Sequence, residues 1–193
     1  MHTERQQEII AAALELINKK GIQGLTIKNL SKKIGITEPA IYRHFENKIQ
    51  ILITILDVFA QSSSRLFQDE MLNDSNAIDK IKHLFQNHFK AFTDMPSLTS
   101  VVFSEEIFRN ETILADKISE IIERNNKILI AIITEGQRNN EIRVDVEAKN
   151  LTIMVMGTLR LFIKKWQFSA FSFNLHTEGE KILQMIYNLI KAQ

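Results

Sequence analysis

Between Gly35 and Lys48 the chain reads Gly35-Ile36-Thr37-Glu38-Pro39-Ala40-Ile41-Tyr42-Arg43-His44-Phe45-Glu46-Asn47-Lys48, and this stretch holds the residues best suited to chemistry. That chemistry is recognition, not bond making. Arg43, His44 and Lys48 carry or can acquire positive charge, and Thr37 and Tyr42 bring hydroxyls; such groups grip phosphates and base edges. At about 100° per residue, Ile41 and Phe45 share a buried stripe, which turns Pro39, Ala40, Arg43 and His44 outward and leaves Tyr42 on the flank. An ordinary solvated helix face would present the same residue types, so Asn47 and Lys48 decide the case. Asn47 reads as the N-cap of the next helix and places Lys48 in its first turn. A cation there opposes the helix macrodipole at a cost of roughly 0.3 to 1 kcal/mol. A phosphate at the same position would meet both the backbone N–H groups and the ammonium, so the placement makes sense with a nucleic acid as partner.

Three short elements must hold this stretch in place. The first helix is predicted from about Glu4 to Lys20, with Ile9, Ile10, Ala13, Leu14 and Ile17 on one face and Gly21 closing it. Thr26 offers a hydroxyl N-cap to a second helix, in which Ile27, Leu30 and Ile34 recur at helical spacing before Gly35 stops it. The third helix starts at Thr37 or Glu38, either of which can cap, with Pro39 in its first turn, and runs to Phe45. Eight residues make a rod about 12 Å long, enough to address only a few base pairs. Two short helices joined by a tight glycine-containing turn form a helix-turn-helix over residues 26–45, whose second helix fits a DNA major groove. Finding one site in a genome with so short a reader calls for two copies, hence a dimer.

Composition agrees and excludes other classes. The chain has 193 residues, 45% hydrophobic and 24% charged, which is ample for a packed core. The absence of cysteine removes disulfides, thiolate metal sites and thiol catalysis, and suits a reducing compartment. With no signal-peptide pattern at the start and no apolar run near the roughly 20 residues of a membrane span, a cytoplasmic, nucleoid-associated protein that makes no membrane contact is expected. Net charge is only +1, yet residues 1–50 carry eight Lys or Arg against five Glu, whereas the rest carries sixteen against eighteen acidic residues. The excess of positive charge lies where the motif lies. Catalysis finds no support: there is no Gly-rich phosphate loop, no Gly-x-Ser-x-Gly and no His-Glu-x-x-His. His83 and His88 are five residues apart and do not share a face for a metal, and Glu105 and Glu106 point apart. No enzyme activity, cofactor or metal is expected.

The combination of Gly35-Ile36-Thr37, Tyr42-Arg43-His44-Phe45, Asn47-Lys48 and Leu52 resembles the TetR family of bacterial transcriptional regulators. The likeness covers about residues 5–55 and includes Gly21, Thr26 and Leu30. It implies that Thr37, Pro39, Ala40 and Arg43 lie near base edges, and that Thr26, Tyr42, His44 and Lys48 lie near phosphates, with Lys28 in the same DNA-facing set. Glu38 either accepts from a cytosine amino group or simply caps the helix. The fold implied is all-α with about nine helices, comprising a DNA-binding domain over residues 1–48 and a regulatory and dimerisation domain over 49–193.

Beyond the motif nearly everything reads as helix, near 48–70, 75–94, 97–108, 111–139, 147–167 and 177–191. The last two carry more apolar surface than a helix pair can hide: Leu151, Met154, Val155, Leu159, Phe162, Ile163 and Trp166, with Gly157 allowing close approach, and then Ile182, Leu183, Met185, Ile186, Leu189 and Ile190. Packing inside one chain would use this surface; the resemblance implies a homodimer contact built from it. The resemblance also implies a small-molecule pocket whose occupation releases a palindromic operator, which makes the protein a ligand-responsive repressor. Wall candidates are Phe85, Phe89, Phe92, Phe103 and Phe108, with His88 or Glu105 as polar anchor, and such walls suit a lipophilic effector. Phe85, Phe89 and Phe92 also form the stripe that plain core would show. A second reading keeps the DNA binding but replaces the small molecule with a protein partner or a role in chromosome organisation.

Overall fold

In the computed structural model, which describes residues 2–104 and 109–192, nine α-helices account for most of the chain. They are α1 (Glu4–Lys20), α2 (Ile27–Ile34), α3 (Glu38–Tyr42), α4 (Lys48–Leu72), α5 (Ala77–Asp94), α6 (Ser97–Val102), α7 (Thr112–Arg138), α8 (Ala148–Phe168) and α9 (Leu175–Ile190), with a 3-10 turn at Ile22–Gly24. Extended pairing among the described residues is limited to one bridge between Ile142 and Lys191.

Local sequence explains most boundaries. Thr3 accepts from the Gln6 N–H while the Gln6 side chain accepts from Thr3 N, a reciprocal cap that opens α1. Gly35, at φ 81°, takes the left-handed conformation that closes α2. Asn174 starts α9 at Leu175, two residues before the position expected from sequence, because its side chain accepts from Thr177 N at 2.9 Å. α6 stops at Val102, well short of 108, and Phe103 forms its C-cap.

The larger correction is to α3, which has five residues and not eight. His44 N and Phe45 N both donate to Ile41 O, at 2.9 and 3.1 Å, so the chain leaves the helix in a tight turn that carries Arg43 and His44. Two demands at the end of this turn explain the early stop. Phe45 must enter the core, where it is buried, and Asn47 must cap α4 by accepting from Gln50 N at 3.0 Å.

Two compact units emerge. The first comprises residues up to Ala60 and Met95–Ser119, and it buries Ile9, Ala13, Ile17, Leu25, Leu30, Ile41, Phe45, Leu52 and Leu56. Within it α1 packs on α2 and α6, and α2 packs on α3. The second comprises Gln61–Asp94 and the chain from Glu120 onward. Its centre is Phe89, fully buried, with ring centroids 6.0 Å from Phe85, 5.8 Å from Phe162 and 6.3 Å from His176. α9 approaches this ring through Gly179, where a β-carbon would lie 2.7 Å from Phe89 Cδ2. Gly157, expected at a close approach, has no such neighbour within 4 Å among the described residues and is exposed.

Candidate nucleic-acid interface

α1 serves as the platform for the helix pair. Lys33 near the end of α2 pairs with Glu15 of α1, and the ammonium holds the Glu15 carboxyl below its usual pKa. At the other end of α2, Thr26 Oγ1 accepts from Asn29 N at 3.0 Å, and Asn29 Nδ2 donates to Gly24 O at 2.9 Å. Gly35 N and Ile36 N both donate to Ser31 O, which fixes the turn into α3. Leu30 and Ile41, both fully buried, lock α2 and α3 to the core, so what faces outward is set by rotation about these two anchors.

Outward of the anchors lie Lys28, Thr37, Glu38, Pro39, Tyr42, Arg43 and Lys48, all exposed, and Thr26 is exposed at the start of α2. Ala40 and His44 are half-buried, so His44 is less available than a fully outward position would make it. Thr37 is the N-cap residue of α3 but makes no side-chain cap bond, which leaves its hydroxyl for another partner. Glu38 follows the cap and does not form it; in the first turn its carboxylate is favourably placed against the dipole. Among the described residues none of the cations Lys28, Arg43 and Lys48 has an acidic partner within 4 Å, in contrast to Lys33. Three unpaired cations around an exposed helix pair form a surface that can neutralise phosphates.

The candidate effector residues are placed differently. Phe85, His88, Phe89 and Phe92 of α5 are all buried in the second unit. His88 Nδ1 lies 2.7 Å from Leu84 O, and burial lowers the pKa of the ring, which keeps it neutral. Phe103 is buried in the first unit, and Phe108 and Glu105 lie outside the described residues. Sequence reasoning passed over a buried polar pair in the second unit: Asn125 of α7 donates from Nδ2 to Ser63 Oγ of α4 at 2.8 Å. Its signal was available, because Asn125 interrupts the apolar stripe of Ile121, Leu129 and Ile132.

On α8 and α9, Leu151, Val155, Leu159, Trp166 and Ile186 are buried within the chain, and Met154, Phe162 and Ile182 are partly covered. Met185 and Leu189 are exposed. So are Ile153, Leu161 and Phe168, at 60%, 71% and 77%; of these only Phe168 stood out in the sequence, as part of the aromatic link with Phe171 and Phe173 between the last two helices. No helix among the described residues is long and apolar enough to cross a membrane.

An exposed, cation-bearing helix-turn-helix joined to a larger helical region defines a DNA-binding regulator of transcription. The chain belongs to the TetR family of bacterial regulatory proteins: the family description "Bacterial regulatory proteins, tetR family" matches residues 9–55, and "YsiA-like protein, C-terminal region" matches residues 60–190. Members of this family are transcriptional regulators and not enzymes. The chain is 24% identical over 182 residues to the fatty acid metabolism regulator protein of Bacillus subtilis, covering 94% of this chain and 93% of that one. It is 23% identical over 174 residues to the nucleoid occlusion factor SlmA of Vibrio campbellii, covering 89% and 88%. The solved structure of the transcriptional regulator FadR from Bacillus subtilis in complex with stearoyl-CoA has the same fold, with a TM-score of 0.80, 24% identity and coverage of 94% and 97%.

Proposed function

We propose that the protein is a repressor that binds a palindromic operator as a homodimer and leaves it when an acyl-coenzyme A thioester binds. In this reading residues 1–48 bind DNA and 49–193 regulate and dimerise, and the protein acts in the cytoplasm at the nucleoid. The observation that carries the DNA-binding part is the exposed α2–α3 pair with Lys28, Arg43 and Lys48 free of acidic partners among the described residues. Thr37, Pro39, Ala40 and Arg43 are assigned to base edges, and Thr26, Lys28, Tyr42, His44 and Lys48 to phosphates. Glu38, which does not cap, is free to accept from a cytosine amino group. The exposed apolar residues of α8 and α9 support the dimer.

An acyl thioester is favoured because one relative is named for fatty acid metabolism and a structural neighbour was solved with stearoyl-CoA. The test is direct. Genomic fragments selected by the purified protein supply the operator, and palmitoyl-CoA added to that complex should release it. Arg43→Ala should cost about 1 to 3 kcal/mol on the selected sequence and much less on scrambled DNA. A thermal-shift screen in which only polar metabolites stabilise the protein would remove the lipophilic effector. The likeness to a nucleoid occlusion factor supports the second reading, in which a protein partner takes the place of the small molecule. That reading requires operator binding indifferent to every acyl thioester tried.

A further inference from the structure

We propose that the buried Ser63–Asn125 pair reads an amide group of the effector, so that the site selects the pantetheine arm of an acyl thioester over a free fatty acid. The inference rests on the acyl-thioester reading of the function and specifies which part of the ligand the protein recognises.

Ser63 is 2% exposed and Asn125 is 4% exposed, and their side chains are joined by the 2.8 Å hydrogen bond from Asn125 Nδ2 to Ser63 Oγ. That bond uses one of the two amide hydrogens, and of the groups left over the carbonyl oxygen and the serine hydroxyl are the two that matter for a ligand. Among the described residues no protein group donates to the buried Asn125 Oδ1 or to Oδ1 of the adjacent Asn126. The Ser63 hydroxyl accepts in this bond and keeps its own hydrogen to give. A buried carbonyl left without a donor is costly, and native proteins keep few of them. Leucine at 125 would complete the apolar stripe of Ile121, Leu129 and Ile132 without that cost. Asparagine there is therefore costly for folding, and a ligand that supplies the missing donor gives a reason to keep it.

These two groups set the polarity of the ligand. One acceptor beside one hydroxyl donor matches a secondary amide, whose N–H would donate to Asn125 Oδ1 and whose C=O would accept from Ser63. Phe67, one turn after Ser63 on α4, packs edge-on against His88 with centroids 5.8 Å apart. His88 has the same polarity: with Nδ1 facing the carbonyl of Leu84, the ring proton sits on Nδ1 and Nε2 is left as an acceptor. An ionised fatty acid brings two acceptors, no donor and a charge to be desolvated, so it fits this group poorly. A pantetheine arm carries two amide N–H groups just beyond the thioester.

Calorimetric titration of the full-length protein with three probes tests the assignment: S-palmitoyl-pantetheine, the same compound methylated on both amide nitrogens, and palmitate. The parent thioester should bind about tenfold more tightly than its methylated form, the effect of one buried hydrogen bond lost, and palmitate should be weaker still. Asn125→Leu, with folding verified by circular dichroism, should close the gap between parent and methylated compound. Equal binding of the two by the natural protein, a gap that survives in Asn125→Leu, or palmitate binding tightest would each overturn the proposal. The comparison in the natural protein needs no variant to fold. If none of the acyl probes binds, the acyl-thioester reading falls as well; binding without discrimination removes only the role of Ser63 and Asn125.

Discussion

Replacing Lys48 by alanine should move folding stability and DNA affinity in opposite directions. Lys48 is the first residue of α4, exposed, with no acidic partner among the described residues, and Asn47 caps the helix through Gln50 N. In the free protein its charge opposes the helix dipole, so removing it should stabilise the fold by roughly 0.3 to 1 kcal/mol. On DNA the same charge displaces a counterion, and its loss should flatten the slope of log K against log salt by about 0.9 for each phosphate contact. For a dimer with two such contacts, the ratio of natural to variant affinity should shrink about 12-fold between 50 and 200 mM salt, against about 3.5-fold for a single contact. The loss should be the same on selected and scrambled duplexes, since phosphates carry no sequence information. Fluorescence anisotropy across that salt range, beside thermal unfolding without DNA, reads both effects. A lower unfolding temperature together with an unchanged salt slope would show that Lys48 supports the fold and does not meet phosphate.

Thr26→Ala removes the hydroxyl that accepts from Asn29 N and should cost about 0.5 to 2 kcal/mol in chemical denaturation, whereas Thr26→Ser should recover most of it. Gly179→Ala would place a methyl group 2.7 Å from Phe89 Cδ2 and 2.8 Å from Cζ. Overpacking there costs about 1 to 3 kcal/mol against about 1 kcal/mol gained in helix propensity, so Tm should fall by a few degrees, and Phe89→Leu should make the same substitution harmless. His88 is neutral in the folded protein because burial lowers its pKa, while in the unfolded chain it takes a proton near 6.5. Its contribution to stability is therefore present above that pH and is lost as the pH falls below it, by at most about 1.4 kcal/mol per unit. Denaturation at pH 7.5 and 5.5 should show His88→Leu gaining on the natural protein at the lower pH; a pH-independent difference would mean that the buried ring does not resist protonation.

The DNA-binding part was legible because its determinants are local. Gly21, Thr26, Gly35 and Asn47 terminate or cap helices through neighbours within a few residues, and capping chemistry needs no knowledge of the rest of the chain. The length of α3 was not legible, because helical periodicity continues through Phe45, whereas the backbone turns at Arg43 to satisfy both the burial of Phe45 and the cap on α4. Those are demands of the next element, and a window centred on α3 does not contain them. The Ser63–Asn125 contact was not legible for a related reason. Asn125 stands out within its apolar stripe, but its partner lies 62 residues away, and Ser63 alone looks like an ordinary polar residue on a helix.

α8 shows how an apolar pattern conceals which side is already occupied. Leu151, Val155, Leu159, Ile163 and Trp166 form one stripe at steps of four, four, four and three, and all are buried in the chain. Ile153, Gly157 and Leu161 form a second stripe, offset from the first by two residues and so by about 200° around the helix. Hydrophobicity on both sides is the mark of a helix covered on both sides, yet the chain covers only one. Gly157 adds a geometric argument. Glycine within a helix costs about 1 kcal/mol relative to alanine, and no contact among the described residues needs the space it leaves. Between exposed Ile153 and Leu161, that space would let a second helix approach closely. A single sequence cannot separate these stripes, since both satisfy the same periodicity. The folded chain separates them by filling one, and the open stripe then becomes the face through which the proposed homodimer would form.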